Sequence, residues 1–405
     1  MNDAAEKRLE RFAPWTVAAL IGVMFVGTTL VTPLYVLYRD AFGFSEITLT
    51  LIYAVYVVGN LVSLMFFGRL SDQIGRRRVT FPVIGVGILS TLVFLFAQDP
   101  TWLFIARMLS GFAIGLSTGT GAAWLAELYG PNNRARATLV AIIGNLAGLS
   151  VGALLAGLLA QYAPWPLRLV FVIYIVMLVA LMLLMRTTPE TVEHPVRSLR
   201  EASMKPRIGV PANLRAAFLA PAVAGFGGFA LFGFYAALAP SILRQELHET
   251  NRALGGGVVF ELCVVAAAAV LLTRAMKAKT AMLSGLVLLL PSLFLLVLAQ
   301  AEASLAWLLI GTTLSGAATA LCYRGSLQVV NEIAPNDRRA EIISTYLICC
   351  YVGNSVPVIG VGIISTFFGP IAASTVFAVT IALFVSVALV SGKARSARPA
   401  AEAQR

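Results

Sequence analysis

Three charged side chains stand where neighbours are almost all apolar: Arg107, Glu261 and Arg324. An ionisable group at membrane depth is costly and as a rule faces a cavity, a partner or a permeant solute. A carboxylate such as Glu261 is held ionised by a nearby arginine or protonated by desolvation. Switching between those states moves a proton; a lasting Glu261–Arg324 salt bridge tying two helices is the other reading. A second cluster lies in the segment Gly68-Arg-Leu-Ser-Asp72-Gln-Ile-Gly75-Arg76-Arg77-Arg78, where one acid sits among glycines and basic residues. Asp72 is expected to be ionised and paired, with Arg76 or Arg77 nearby and with Arg338 or Arg339 at the start of a later helix. No Ser–His pair, His or Cys cluster or phosphate-cradling glycine loop accompanies these charges, so enzymatic chemistry, a metal and a cofactor are not expected.

The chain around them reads as membrane helices. Of 405 residues, 59% are hydrophobic and only 12% charged, which excludes an ordinary soluble domain. A span needs about 20 mostly apolar residues to cross ~30 Å of hydrocarbon. Twelve runs qualify: 14–38, 46–68, 79–97, 101–124, 135–161, 167–185, 214–240, 252–273, 280–299, 304–329, 339–366 and 371–391. The fold class is therefore all-α integral membrane.

The net charge of +11 is distributed by topology rather than gathered into a nucleic-acid-binding domain. With both termini on the cytoplasmic side, 24 of the 30 Lys and Arg fall in the tails and cytoplasmic connections. Only Arg39, Arg168, Arg244 and Arg252 fall outside, and Arg107 and Arg324 lie within spans. That bias places both ends in the cytoplasm. The first span is too long for a signal-peptide core and is expected to remain as a helix. The four cysteines, Cys263, Cys322, Cys349 and Cys350, have neither metal spacing nor a disulfide framework and read as packing residues.

The one long polar connection, 186–213, carries Pro189, Pro195, Pro206 and Pro211 and reads as a linker. It separates spans in 1–185 from spans in 214–391, leaving a basic tail at 392–405. Each half holds a related turn after its fourth span: Glu127-Leu-Tyr-Gly-Pro131-Asn-Asn-Arg134 and Glu332-Ile-Ala-Pro335-Asn-Asp-Arg338-Arg339. The recurrence predicts two pseudo-symmetric six-helix bundles with a solute site near the bilayer midplane.

The Gly68–Arg78 spacing resembles the loop after the second helix of the major facilitator superfamily. Arg107-Met-Leu-Ser-Gly111-Phe-Ala-Ile-Gly115 resembles its fourth-helix motif. The resemblance implies a secondary transporter working by alternating access, most like the twelve-helix drug–proton antiporter branch. It implies that Gly68, Asp72, Gly75, Arg76 and Arg77 latch the cytoplasmic side, with Glu127, Arg134, Glu332, Arg338 and Arg339 in the same charge network. It links Arg107 with proton movement, while Glu261 and Arg324 serve coupling or solute binding. Two departures stand out. The first span carries Thr28, Thr29, Thr32, Pro33 and Tyr35 where many proton-coupled exporters have an acid. The fifth-span stripe Gly144-x3-Gly148-x3-Gly152 resembles an antiporter motif but has Leu149 in place of its proline, and close helix packing explains it equally well.

Candidate cavity residues are Tyr35, Tyr53, Tyr56, Asn60, Trp124, Asn145, Phe232, Tyr235, Tyr323, Gln328 and Asn354. Their aromatic weight suggests an amphipathic or aromatic solute rather than a sugar. The expected function is proton-coupled export of such a compound; uptake of an organic anion held by Arg107 and Arg324 is the alternative, and a channel a lesser one. Partners are then the solute, protons and the lipid bilayer, with no nucleic acid. The protein is expected to be a monomer in a bacterial inner membrane.

Overall fold

Proline, glycine and capping residues punctuate long apolar helices in the computed structural model, which describes residues 3–193, 208–335 and 337–394. The central linker residues 194–207, Asn336 and most of the basic tail lie outside the described residues. Among those described, twelve stretches are long and apolar enough to cross a membrane, from Phe12–Phe42 to Pro370–Leu389.

The first is interrupted. Helix α1 (Asp3–Thr29) gives way to a 3-10 turn at Thr32–Leu34, and α2 (Tyr35–Phe42) resumes beyond it. Pro33 has no backbone N–H and cannot continue an α-helical ladder, so the chain tightens there. Then follow α3 (Glu46–Val62), a π turn at Ser63–Phe67 and the short α4 (Leu70–Ile74). Helices α5 (Arg76–Leu95), α6 (Pro100–Tyr129), α7 (Arg134–Tyr162) and α8 (Pro166–Met185) complete the sequence up to the linker. Asp99 starts α6 by accepting from Thr101 N at 2.7 Å, with Pro100 in the first helical position where its missing N–H costs nothing. Beyond the linker come α9 (Arg215–Gln245), α10 (Arg252–Leu272), α11 (Ala278–Ala301), α12 (Leu305–Ile333), α13 (Arg339–Phe368) and α14 (Pro370–Ala394).

Two units emerge from the packing. The first comprises residues 1–44, 51–206 and 251–263, and the second 45–50, 207–250 and 264–405. In the first, α1 packs on α7 and α6, and α5 packs on α6 and α8. Gly148 of the α7 stripe has no room for a side chain, because a Cβ there would fall 2.1 Å from Gly22 O of α1. The stripe is thus a packing surface for α1. The Phe94 and Phe171 rings stack at 5.2 Å between α5 and α8. In the second unit α11 packs on α12, and α9 on α13, α12 and α14. Phe218, Val330, Ile342 and Tyr346 form part of one apolar core there.

One sequence expectation shifts here. The spans 46–68 and 79–97 leave Arg76, Arg77 and Arg78 in the connection between them, whereas they form the first turn of α5. Arginine is a good helix former. Cations at a helix N-terminus oppose the macrodipole, however, so something must offset them.

Candidate functional site

The first unit encloses a cation at membrane depth. Arg107 of α6 is 0% exposed, and its Nη1 donates to Thr28 O at 3.1 Å. That acceptor is available because α1 ends at Thr29, leaving the last carbonyls of the broken helix without their usual donors. A guanidinium suits this position, since the C-terminal end of a helix carries partial negative charge. Three tyrosine faces surround it, with the Arg107 Cζ 4.9 Å from the Tyr56 ring centre, 5.6 Å from Tyr53 and 5.8 Å from Tyr35. Tyr53 and Tyr56 meet edge to face at 5.5 Å. Among the described residues nothing accepts from Arg107 Nε or Nη2. The buried hydroxyls of Thr28 and Thr32 lie without a hydrogen-bonding partner along the same stretch of the first span, and the Tyr35 hydroxyl lies against the Arg107 guanidinium.

The basic loop forms a second, tighter cluster in the same unit. Arg76 pairs through Nη1 with Asp72, donates to Ser71 Oγ at 2.8 Å, and holds Glu127 through Nε at 3.2 Å and Nη2 at 2.6 Å. The local partner expected for Asp72 is thus Arg76, one helical turn away, with Glu127 joined to the same guanidinium. Glu190, which the sequence reading passed over, supplies the missing anion at the α5 N-terminus. It accepts from Arg76 N at 2.8 Å and from Arg77 N at 3.0 Å. Gly75 makes room for it: a Cβ there would meet Glu190 Oε2 at 2.6 Å, and φ is +117°. The next residue, Thr191, donates its hydroxyl to Glu127. The linker's first residues are thereby strapped beneath this bundle, with Trp124 Nε1 donating to Pro189 O at 3.2 Å and Thr16 and Thr188 hydroxyls 2.8 Å apart. Trp124, a cavity candidate, is instead 0% exposed and anchors the strap. Arg134 is exposed at the start of α7.

Glu190→Ala is expected to cost about 1 kcal/mol, the usual worth of a carboxylate at a helix N-terminus. Hydrogen exchange at the Arg76 and Arg77 amides should speed up together; unchanged exchange would show that Glu190 does not hold them.

In the second unit Arg324 is a helix cap. Its Nη1 reaches Thr273 O at 2.5 Å and Thr273 Oγ1 at 3.0 Å, while Nη2 reaches Arg274 O at 2.9 Å and Met276 O at 3.2 Å. These acceptors follow the end of α10, so the Arg324 guanidinium closes the carbonyl end of that helix. Arg338 donates to Glu341 at 2.8 and 2.9 Å, so its carboxylate partner is Glu341 rather than Glu332, which is exposed at the end of α12. Arg339 is exposed in the first turn of α13. The far end of the linker is pinned as well, with Gly209 N donating to Thr345 Oγ1 at 2.9 Å.

The remaining candidates divide by burial. Tyr235 is buried with its hydroxyl 3.4 Å from Ser315 Oγ, and Asn354 is buried on α13. Phe232, Asn145 and Glu261 are half-buried, and Gln328 is exposed. Gly68 follows the π turn, where a Cβ would meet Leu64 O at 2.5 Å. Glu190, Glu341 and Thr273 left no signal in the sequence, because each meets its partner through tertiary folding or through a spacing too common to stand out.

A family model described as Major Facilitator Superfamily matches residues 17–277. The chain belongs to that superfamily. It is accordingly a multi-pass integral membrane protein of that superfamily. Among curated members, the puromycin resistance protein pur8 of Streptomyces alboniger is 33% identical over 150 residues, 36% of this chain and 29% of that protein. The arabinose-proton symporter of Bacillus subtilis is 26% identical over 112 residues, 28% of this chain and 24% of the symporter. The human chromaffin granule amine transporter is 35% identical over 115 residues, 27% of this chain and 22% of its own. Each match therefore spans less than a third of the relative's length. Among solved superfamily structures, the fold is similar to a bacterial homologue of the human lysosomal transporter Spinster, inward-facing and occupied. The TM-score is 0.70 at 14% identity, covering 95% of this chain and 96% of that one. The human organic anion transporter MFSD10 gives a TM-score of 0.67 at 16% identity, covering 94% and 99%.

Proposed function

We propose that this superfamily member is a proton-coupled carrier that exports a small amphipathic or aromatic solute by alternating access. It acts as a monomer in a bacterial inner membrane, with both termini in the cytoplasm. The observation that carries the reading is the Arg107 centre, a fully buried cation walled by Tyr35, Tyr53 and Tyr56. Aromatic faces give a solute ring contact area and orientation, and the guanidinium gives it a polar anchor. The Asp72–Arg76–Glu127 cluster supports a breakable latch, because charge pairs at a water boundary exchange partners more readily than a buried apolar seam. Glu261, half-buried on α10, is the group we assign to proton coupling. The naming of one relative as a puromycin resistance protein favours the exporting direction. The naming of another as an arabinose-proton symporter keeps proton-linked uptake as the second reading.

Purified protein in proteoliposomes tests this. Solute flux is expected to saturate, to show counterflow and to follow an imposed pH gradient outward. Glu261→Gln should preserve counterflow but flatten the dependence on pH. Conductance that never saturates would overturn the carrier reading, and unchanged pH dependence in Glu261→Gln would remove Glu261 as the coupling acid.

A further inference from the structure

The donors left vacant around Arg107 have a definite shape. Nη1 is engaged by Thr28 O, while Nε and Nη2 have no acceptor among the described residues. Nε–H and Nη2–H point side by side from one edge of the planar guanidinium, the fork that matches the two oxygens of a carboxylate. A guanidinium stays charged at any ordinary pH, so burial cannot silence it by deprotonation. The tyrosine faces and the carbonyl at the α1 break offset part of that charge, but neither fills the fork. No carboxylate among the described residues fills it either. Among the described residues Arg107 has no ion pair, and of the membrane spans of the first unit only α10, with Glu261, carries an acid between its end turns.

The other unsatisfied atoms nearby have the same requirement. Thr28 and Thr32 each carry a buried, unpartnered hydroxyl able to donate, on the first span whose Thr28 carbonyl meets the guanidinium. Two charged N–H groups and two hydroxyls without partners form a donor-rich stretch that calls for an electron-rich ligand. The surrounding rings call for an apolar, planar body attached to it. We infer that the transported solute is a monoanionic aromatic carboxylate, its carboxylate seated on the Nε–Nη2 edge of Arg107 and its ring among Tyr35, Tyr53 and Tyr56.

This rests on the reading of Arg107 as the solute site and names the chemical class that the site takes. A single cation with one fork favours a monoanion over a phosphate ester, which would want more positive charge. It also assigns the Thr28 and Thr32 hydroxyls a role as neutral donors. An acid there would occupy the fork and exclude the ligand.

Calorimetry on the purified full-length protein, in chloride-free sulfate buffer, compares sodium benzoate with benzamide. Benzoate is expected to bind saturably and benzamide at least about tenfold more weakly, as befits loss of a charge-assisted pair. Arg107→Lys keeps a cation but not the fork, and benzoate affinity should fall about tenfold or more while the protein still purifies as a folded monomer. Thr28→Val should weaken benzoate severalfold with Arg107 intact. Equal binding of benzoate and benzamide, or full benzoate affinity in Arg107→Lys, would overturn the inference. So would chloride that occupies the site and displaces benzoate without benzoate exchanging in counterflow, since the fork would then be a halide site. Any of these outcomes leaves the counterflow test of carrier action standing, so the two readings fail separately.

Discussion

Gly111→Val is expected to remove most folded protein from detergent extracts, the largest stability effect of any single change considered. A Cβ at Gly111 would lie 1.9 Å from Tyr56 O and 2.7 Å from Tyr56 C, both backbone atoms that cannot rotate aside. Relief requires α3 and α6 to move apart. Tyr56 also carries the ring closest to Arg107, at 4.9 Å, and Arg107 lies one turn before Gly111 on the same face of α6. Separating the helices therefore opens the tyrosine wall as well as the packing. Overpacking against rigid atoms costs about 3 kcal/mol or more. Gly119 on the same helix is the control, because its Cβ would meet nothing within 4 Å. Gly119→Ala should leave the thermal midpoint unchanged or slightly raised, as alanine favours helix over glycine by ~1 kcal/mol. A Gly111→Val protein as stable as wild type would mean that the α3–α6 contact is not as tight as described.

Arg76→Met is expected to slow counterflow at least tenfold and to lower stability by about 1–3 kcal/mol. Its side chain is 6% exposed and joins Asp72 and Glu127, themselves 50% and 36% exposed. Removing the buried hub leaves two carboxylates facing each other without their cation, which is the costly way to break a charge cluster. The partners' exposure lets water screen part of that penalty, hence the lower end of the range. Arg76→Lys should recover stability better than transport, since an ammonium restores charge but cannot span Asp72, Ser71 and both Glu127 oxygens. Paired measurements of thermal midpoint and initial counterflow rate separate the two effects. A wild-type rate in Arg76→Met would show that the cluster does not participate in the transport cycle.

Both membrane arginines show how much of a site escapes linear reading. Arg107 and Arg324 looked alike in the sequence, each a cation in an apolar run. In the structure each guanidinium reaches carbonyls at the end of a helix, Thr28 O for Arg107 and the carbonyls of 273, 274 and 276 for Arg324. What separates them is how far those acceptors fill the donors. Both Nη atoms of Arg324 are doubly engaged, whereas two Arg107 nitrogens are left over. Pro33 foreshadowed the break that exposes Thr28 O, but nothing local indicated which side chain would meet it.

The basic loop divides in the same way. Asp72 and Arg76 are four residues apart and pair as that spacing allows, so their contact was readable without a fold. Glu190 reaches the same cluster across 114 residues, from a segment that looked like plain linker. The sequence by itself determined the twelve spans, the superfamily and the residues that cost most to bury, because hydrophobic length, charge bias and motif spacing are local properties. Only the tertiary structure decided which buried charges are fully hydrogen-bonded and which keep donors without a partner among the described residues. Hydrogen-bond acceptors are supplied by helix ends and distant segments, and folding alone brings those to the donor.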